Sequence, residues 1–169
     1  KMEENTNTSK SQKELPHLVI ATDNFIPRRD GITRFLTTIL PSLKENFNIT
    51  IICPDFQENN INIEGINFVR IPFKKKYFGD FKPVKFSSNL IKKTIMKADL
   101  VFSQTLGPIG LLSLYHSQKR RIKTVAFIHS IDWKLISNTT GEFFSRKIIE
   151  FFVKIIAKKL YKKCTQLIL

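Results

Sequence analysis

HLVIATDNFIPRRDGITRFLTTIL, residues His17–Leu40, changes its periodicity partway along. It starts as a short unbroken apolar run, the pattern of a strand covered on both faces of a parallel sheet. It then crosses a loop that holds Pro27, Arg28, Arg29, Asp30 and Gly31. From about Gly31 the apolar residues Ile32, Phe35, Leu36, Ile39, Leu40 and Leu43 recur at helical spacing. Pro41 falls inside that pattern and predicts a kink or a break there. A strand handed to a helix through a short loop is half of a crossover unit, and the remaining chain repeats the alternation.

NITIICP (48–54) and INFVRIPF (66–73) read as the second and third strands, and FSSNLIKKTIMKA (86–98) as a helix. DLVFSQ (99–104) is a fourth strand, PIGLLSLYHSQKR (108–120) a helix, and TVAFIHS (124–130) a fifth strand. A basic helix from about Glu142 to Lys163 then leads into TQLIL (165–169), a sixth strand. Right-handed crossovers between such elements build an α/β fold, a doubly wound parallel sheet of the Rossmann-like kind. Residues 1–16 are polar throughout and read as a disordered leader; residues 17–169 read as one domain. The chain stops directly after a strand-like run. That points to truncation before a further domain, unless TQLIL is simply the last edge strand.

Lys and Arg number 28 against 14 Asp and Glu, a net charge of +14, in a chain that is 42% hydrophobic. The composition is globular and the charge calls for an anionic partner: nucleic acid, anionic lipid or a phosphorylated small molecule. Cys53 and Cys164 stand apart, without CxxC spacing, which argues against a zinc site or a disulfide framework and for a reducing compartment. No stretch has the apolar length of a transmembrane helix, and the N-terminus lacks a signal-peptide apolar core. The expected location is cytoplasmic, with the inner face of a membrane as a possible peripheral site.

Ligands of a doubly wound sheet bind beyond the carboxyl ends of its strands. In the first such loop, Asp30 can cap the helix, Gly31 lets a ligand approach the backbone, and Arg28 and Arg29 add charge beside the helix N-terminus. An ordinary capped helix with solvated arginines explains the same residues. In the second, SQTLGPIG (103–110), Ser103, Gln104 and Thr105 can hydrogen-bond a polyhydroxyl ligand, and Gly107 and Gly110 permit close packing or close approach. The third, FIHSIDW (127–133), carries His129, Asp132 and Trp133. GxGxxG and GxxxxGK[ST] patterns are both absent from the sequence, which argues against a nicotinamide dinucleotide or P-loop site.

FIPRRDGITRFLTTILPSL, VFSQTLGPIGLLSL and VAFIHSIDW, in that order, resemble the N-terminal half of a GT-B glycosyltransferase of the family 4 type. The resemblance covers about Leu18 to Leu169, with Asp30-Gly31 standing where the family commonly has Gly-Gly. It implies two Rossmann-like domains facing across a cleft, the acceptor held by this half and a UDP- or GDP-linked sugar mainly by a C-terminal half. It implies transfer with retention of configuration, no bound metal, and no cofactor beyond that nucleotide sugar. By position the Gly31 amide falls near the donor diphosphate and His129, the catalytic candidate, near the transferred sugar or acceptor hydroxyl. Asp30, Arg28, Arg34, Thr105 and Asp132 are candidates for the donor phosphate or the acceptor. The family's Glu pair of the donor site has no counterpart here, so the chain alone is expected to be inactive as a hexosyltransferase-type enzyme.

FKKKYFGDFKPVKF, Phe73–Phe86, interleaves lysines with aromatics, and Lys74, Lys75, Lys76, Tyr77 and Phe78 are candidates for contact with an anionic membrane. The later basic helix carries Ile148, Ile149, Phe152, Ile155 and Ile156, which a helix also needs merely to cover a sheet. A nonenzymatic basic module that binds nucleic acid or anionic membrane is the alternative to a transferase acting on a lipid-linked or glycan acceptor. Against nucleic acid, no recognised RNA or DNA motif is present and the basic residues are spread over several elements.

Overall fold

The apolar runs pair as a single sheet in the computed structural model, which describes residues 14–74, 84–128 and 143–168. Among these residues the strands are β1 (His17–Ala21), β2 (Asn48–Pro54), β3 (Ile66–Ile71), β4 (Leu100–Ser103), β5 (Lys123–Phe127) and β6 (Gln166–Ile168). The helices are α1 (Gly31–Lys44), α2 (Ser88–Ile95), α3 (Pro108–Lys119) and α4 (Phe143–Tyr161). The sheet order is β3-β2-β1-β4-β5-β6 and every pair is parallel. The fold is therefore α/β and Rossmann-like, as the alternation of elements implies. The strand order reverses between β1 and β4, whose register runs from Leu18 opposite Leu100 to Ala21 opposite Ser103.

Alternate residues of β1 separate two cores, as the twofold period of a strand requires. Leu18 and Ile20 pack with Ile49, Ile51 and Cys53 under Leu36 and Leu40 of α1. Val19 and Ala21 pack on the opposite face with Ile52, beneath Ile91 and Ile95 of α2 and Ile109 and Leu112 of α3. Both layers close over the same strand, which explains why β1 is apolar without alternation. Cys53 and Cys164 are free thiols, and burial pushes the Cys53 thiol up to about 11.

Two expectations need correction. Pro41 does not end α1, which continues to Lys44. The residue is exposed, so the carbonyl deprived of its partner faces water, while Leu36 and Leu40 keep the helix seated on the sheet. Nor does α4 cover the sheet with its Ile and Phe stripe. It packs through Ala157, Leu160 and Tyr161 against Leu106, Leu114 and Ala126, and leaves Phe151, Phe152, Ile155 and Ile156 exposed. The side chains of Ile148 and Ile149 lie outside the described residues, as do residues 1–13 of the expected leader. No described helix is long and apolar enough to cross a membrane.

Leu36 is fully buried at the centre of the α1 contact. Leu36→Ala is expected to lower unfolding free energy by about 2–5 kcal/mol, read as a shift in the urea midpoint at unchanged slope.

Candidate functional site

β1 and β4 end side by side where the strand order reverses, and the loops leaving them meet there. Their junction is made by Asp23. Its carboxylate accepts hydrogen bonds from the Ile109 amide (2.9 Å), the Gly110 amide (3.1 Å) and the Thr105 hydroxyl (2.6 Å). The Asp23 amide in turn donates to Thr105 Oγ1 at 2.9 Å. Gly107 occupies the cap position of α3 and has no side chain to satisfy the first turn. Asp23 supplies that cap from a different strand, and its charge suits the helix pole. A Cβ on Gly107 would run into the Asp23 carboxylate, and one on Gly110 would run into the Thr105 carbonyl. These glycines are therefore required by close packing.

The same junction holds the loop that enters α1. Phe25 is fully buried and its ring lies 6.0 Å from that of Phe68. The Thr22 hydroxyl donates to the Asn24 carbonyl at 2.6 Å, and the Arg28 amide donates to the Phe25 carbonyl at 3.1 Å. Arg28 also donates from its guanidinium to Asn24 Oδ1 at 3.2 Å and lies over the Phe56 ring, 5.9 Å from its centre. These contacts hold the Arg28 guanidinium in place beside the start of α1.

Beyond it opens a cleft of about 530 Å³ lined by Ile26, Arg28, Arg29, Asp30, Gly31, Thr33, Arg34 and Thr37. Asp30 caps α1, its Oδ1 accepting from the Thr33 amide at 2.8 Å. The Gly31 and Ile32 amides have no hydrogen-bond acceptor among the described residues. Nothing lies within 4 Å of where a Gly31 Cβ would stand, so the space beside that amide is open. The Thr33 hydroxyl is buried and has no partner among the described residues, an exception to the usual satisfaction of buried polar groups. Three exposed arginines stand beside the helix N-terminus and the open approach at Gly31, an arrangement whose chemistry suits an anion.

The sequence-derived candidates thus separate. Arg28, Asp30, Gly31 and Arg34 come together in the cleft. Thr105 does not line it, because its hydroxyl is committed to Asp23. Ser103 and Gln104 are buried, and the Ser103 hydroxyl donates to the Thr105 carbonyl at 3.0 Å. The Ser103 and Thr105 hydroxyls thus brace the loop after β4. His129 and Asp132 lie outside the described residues, as do Lys75, Lys76, Tyr77 and Phe78. Lys74 is exposed at the start of that basic segment, whose ends are joined by an antiparallel bridge between Phe73 and Val84. Among the described residues no cluster of three His, Cys, Asp or Glu side chains could hold a metal ion. The residue that sequence reasoning missed is Asp23. Its only signal was a glycine at the start of α3, facing a carboxylate at the end of a strand far away in sequence.

The family model described as Glycosyltransferase Family 4 matches residues 29–169. A solved structure of sucrose-phosphate synthase from Thermosynechococcus elongatus is similar at 11% identity with a TM-score of 0.43, over 83% of this chain and 40% of that one. The chain thus spans well under half of the length of that enzyme. No curated protein matches.

Asp23→Asn keeps the shape of the side chain but removes its charge and turns one acceptor atom into a donor facing other donors. The variant is expected to lose about 1–3 kcal/mol of stability, measured by urea denaturation.

Proposed function

The chain belongs to Glycosyltransferase Family 4, and from that premise we propose that it forms the acceptor-side half of a retaining transferase. The reaction moves a sugar from a UDP- or GDP-linked donor to a lipid-linked or glycan acceptor. The observation that carries this reading is the open, arginine-ringed N-terminus of α1. A nucleotide-sugar diphosphate needs hydrogen-bond donors that strengthen as charge gathers on the leaving phosphate, and a fixed helix pole supplies them without reorganisation.

In this reading the Gly31 amide donates to the diphosphate and Asp30 holds the first turn in shape. Arg28 and Arg34 bind anionic or hydroxyl groups of the donor or acceptor. Thr105 acts through Asp23, as a strut between the two loops. His129, which follows β5 in sequence, is assigned to the transferred sugar or the acceptor hydroxyl, with Asp132 on the acceptor side. The family's donor-site Glu pair has no counterpart in this chain, so the chain alone is taken to be inactive; family membership is what supports a reaction with no cofactor beyond the nucleotide sugar.

Contact with the cytoplasmic face of a membrane belongs to the same proposal. Its support comes from α4, where Phe151 and Phe152 are 61% and 58% exposed and Ile155 and Ile156 stand beside them. Lys154, Lys158, Lys159, Lys162 and Lys163 are exposed on or just after the same helix. Exposed aromatics flanked by lysines suit an anionic bilayer, where each basic residue near the surface contributes about 1 kcal/mol. Lys74 and the basic segment that follows it add to that charge.

Gly31→Ala should leave the urea midpoint nearly unchanged, because the added methyl meets open space, yet raise the donor KM in the complete enzyme. His129→Ala in the same enzyme is expected to lower kcat by roughly a hundredfold or more. Unchanged kinetics in both variants would overturn the site assignment. For the membrane, co-sedimentation with anionic vesicles at low salt is expected to succeed and to fail for Phe151→Asp with Phe152→Asp. Absence of binding by the unaltered chain would refute the contact.

A further inference from the structure

α2 and α3 lie on the face of the sheet opposite α1, and between them opens a second cavity of about 530 Å³. It shares no lining residue with the α1 cleft. Its wall includes His116, only 8% exposed, whose Nε2 lies 2.9 Å from Ser88 Oγ. Ser88 and Asn89 begin α2, and Ser87 makes no side-chain hydrogen bond to that first turn. Lys92 enters from α2, and Lys119 and Arg120 enter from the end of α3. No carboxylate lines the cavity among the described residues.

Lys92, Lys119 and Arg120 are exposed and line the same cavity, and nothing in the packing of α2 on α3 requires them there: that contact is made by Ile91, Ile95, Ile109 and Leu112. His116 responds to the field of these cations. Burial first, and then Lys92, Lys119 and Arg120, hold its imidazole below the ordinary histidine range. A neutral ring offers hydrogen bonds without adding to the positive charge. The cations, the Ser88 hydroxyl and the start of α2 surround a volume suited to a multiply charged oxyanion. We infer that the α2–α3 cavity is a binding site for a phosphate group, either a free phosphomonoester or the headgroup of a phospholipid. This site stands independently of the transfer reaction assigned to the α1 cleft.

The test titrates inorganic phosphate into the isotopically labelled chain at fixed ionic strength and follows amide and imidazole resonances. Saturable shifts are expected at residues 88–92 and 116–120, together with an upward move of the His116 titration as an anion offsets the neighbouring cations. Lys92→Gln with Lys119→Gln should weaken binding by about tenfold or more, since each removes a charge-assisted bond. Lys97→Gln with Lys123→Gln removes equal charge from exposed positions that do not line the cavity, and should leave the affinity unchanged. Equal weakening by the two pairs, or shifts that never saturate, would overturn the assignment. Glycerol 3-phosphate and vesicles containing phosphatidic acid distinguish the sources. Saturation by the soluble ester identifies a free phosphomonoester. Response only to phosphatidic acid, and not to phosphatidylserine at equal surface charge, identifies a lipid headgroup. Failure of inorganic phosphate, ester and phosphatidic acid alike would refute the site.

Discussion

The arrangement around the switch point depends on one carboxylate. Asp23, just beyond β1, takes up the first-turn amides of α3 and the hydroxyl of Thr105, and so ties together the two loops that leave adjacent strands in opposite directions of winding. A helix that starts on a glycine has no local means of satisfying its amides, and a buried start without partners would be costly. Supplying the cap from β1 stabilises α3 and fixes the distance between the β1 and β4 loops at once. The glycines at 107 and 110 follow from that closeness, because any side chain there would occupy space held by Asp23 or by the Thr105 carbonyl.

This constraint also decides which helix pole is available. The N-terminus of α3 is filled by a protein carboxylate, whereas that of α1 keeps an open approach at Gly31 and is ringed by arginines. Two strand-to-helix loops that look alike as sequence thus differ physically: one is closed by a strut and the other leaves its helix pole open beside three arginines. Membership in Glycosyltransferase Family 4 gives that open pole a chemical context. The opposite face carries charge of another kind, with Lys92, Lys119 and Arg120 around a buried histidine and the exposed aromatic stripe of α4 beyond them. The excess of cations is therefore distributed over separate features, each with its own geometry.

The alternation of unbroken apolar runs with helical periodicity was sufficient to read the order of elements and a parallel, doubly wound sheet, because burial on both faces leaves residues Leu18–Ala21 of β1 all apolar. The capping of α1 by Asp30 was equally legible, being a contact between residues three apart. At Pro41 the expected break does not occur, because an exposed position and a well-seated apolar face allow the helix to run on to Lys44. The stripe of α4 also departs from expectation. Periodicity identifies an apolar face without saying what covers it, and here Ala157, Leu160 and Tyr161 make the contact while larger side chains remain exposed.

By itself, then, the sequence determined the class of fold, the position of the basic loop at a strand end and the residues that cap α1. Each of these is a property of neighbours along the chain. Only the tertiary structure decided that Thr105 bonds to Asp23, that Gly107 and Gly110 exist for close packing, and that Ser88 meets His116 beside three cations. Those pairs are joined across strands and helices, and hydrogen-bond geometry between distant residues is set by how the layers stack, which no local pattern encodes.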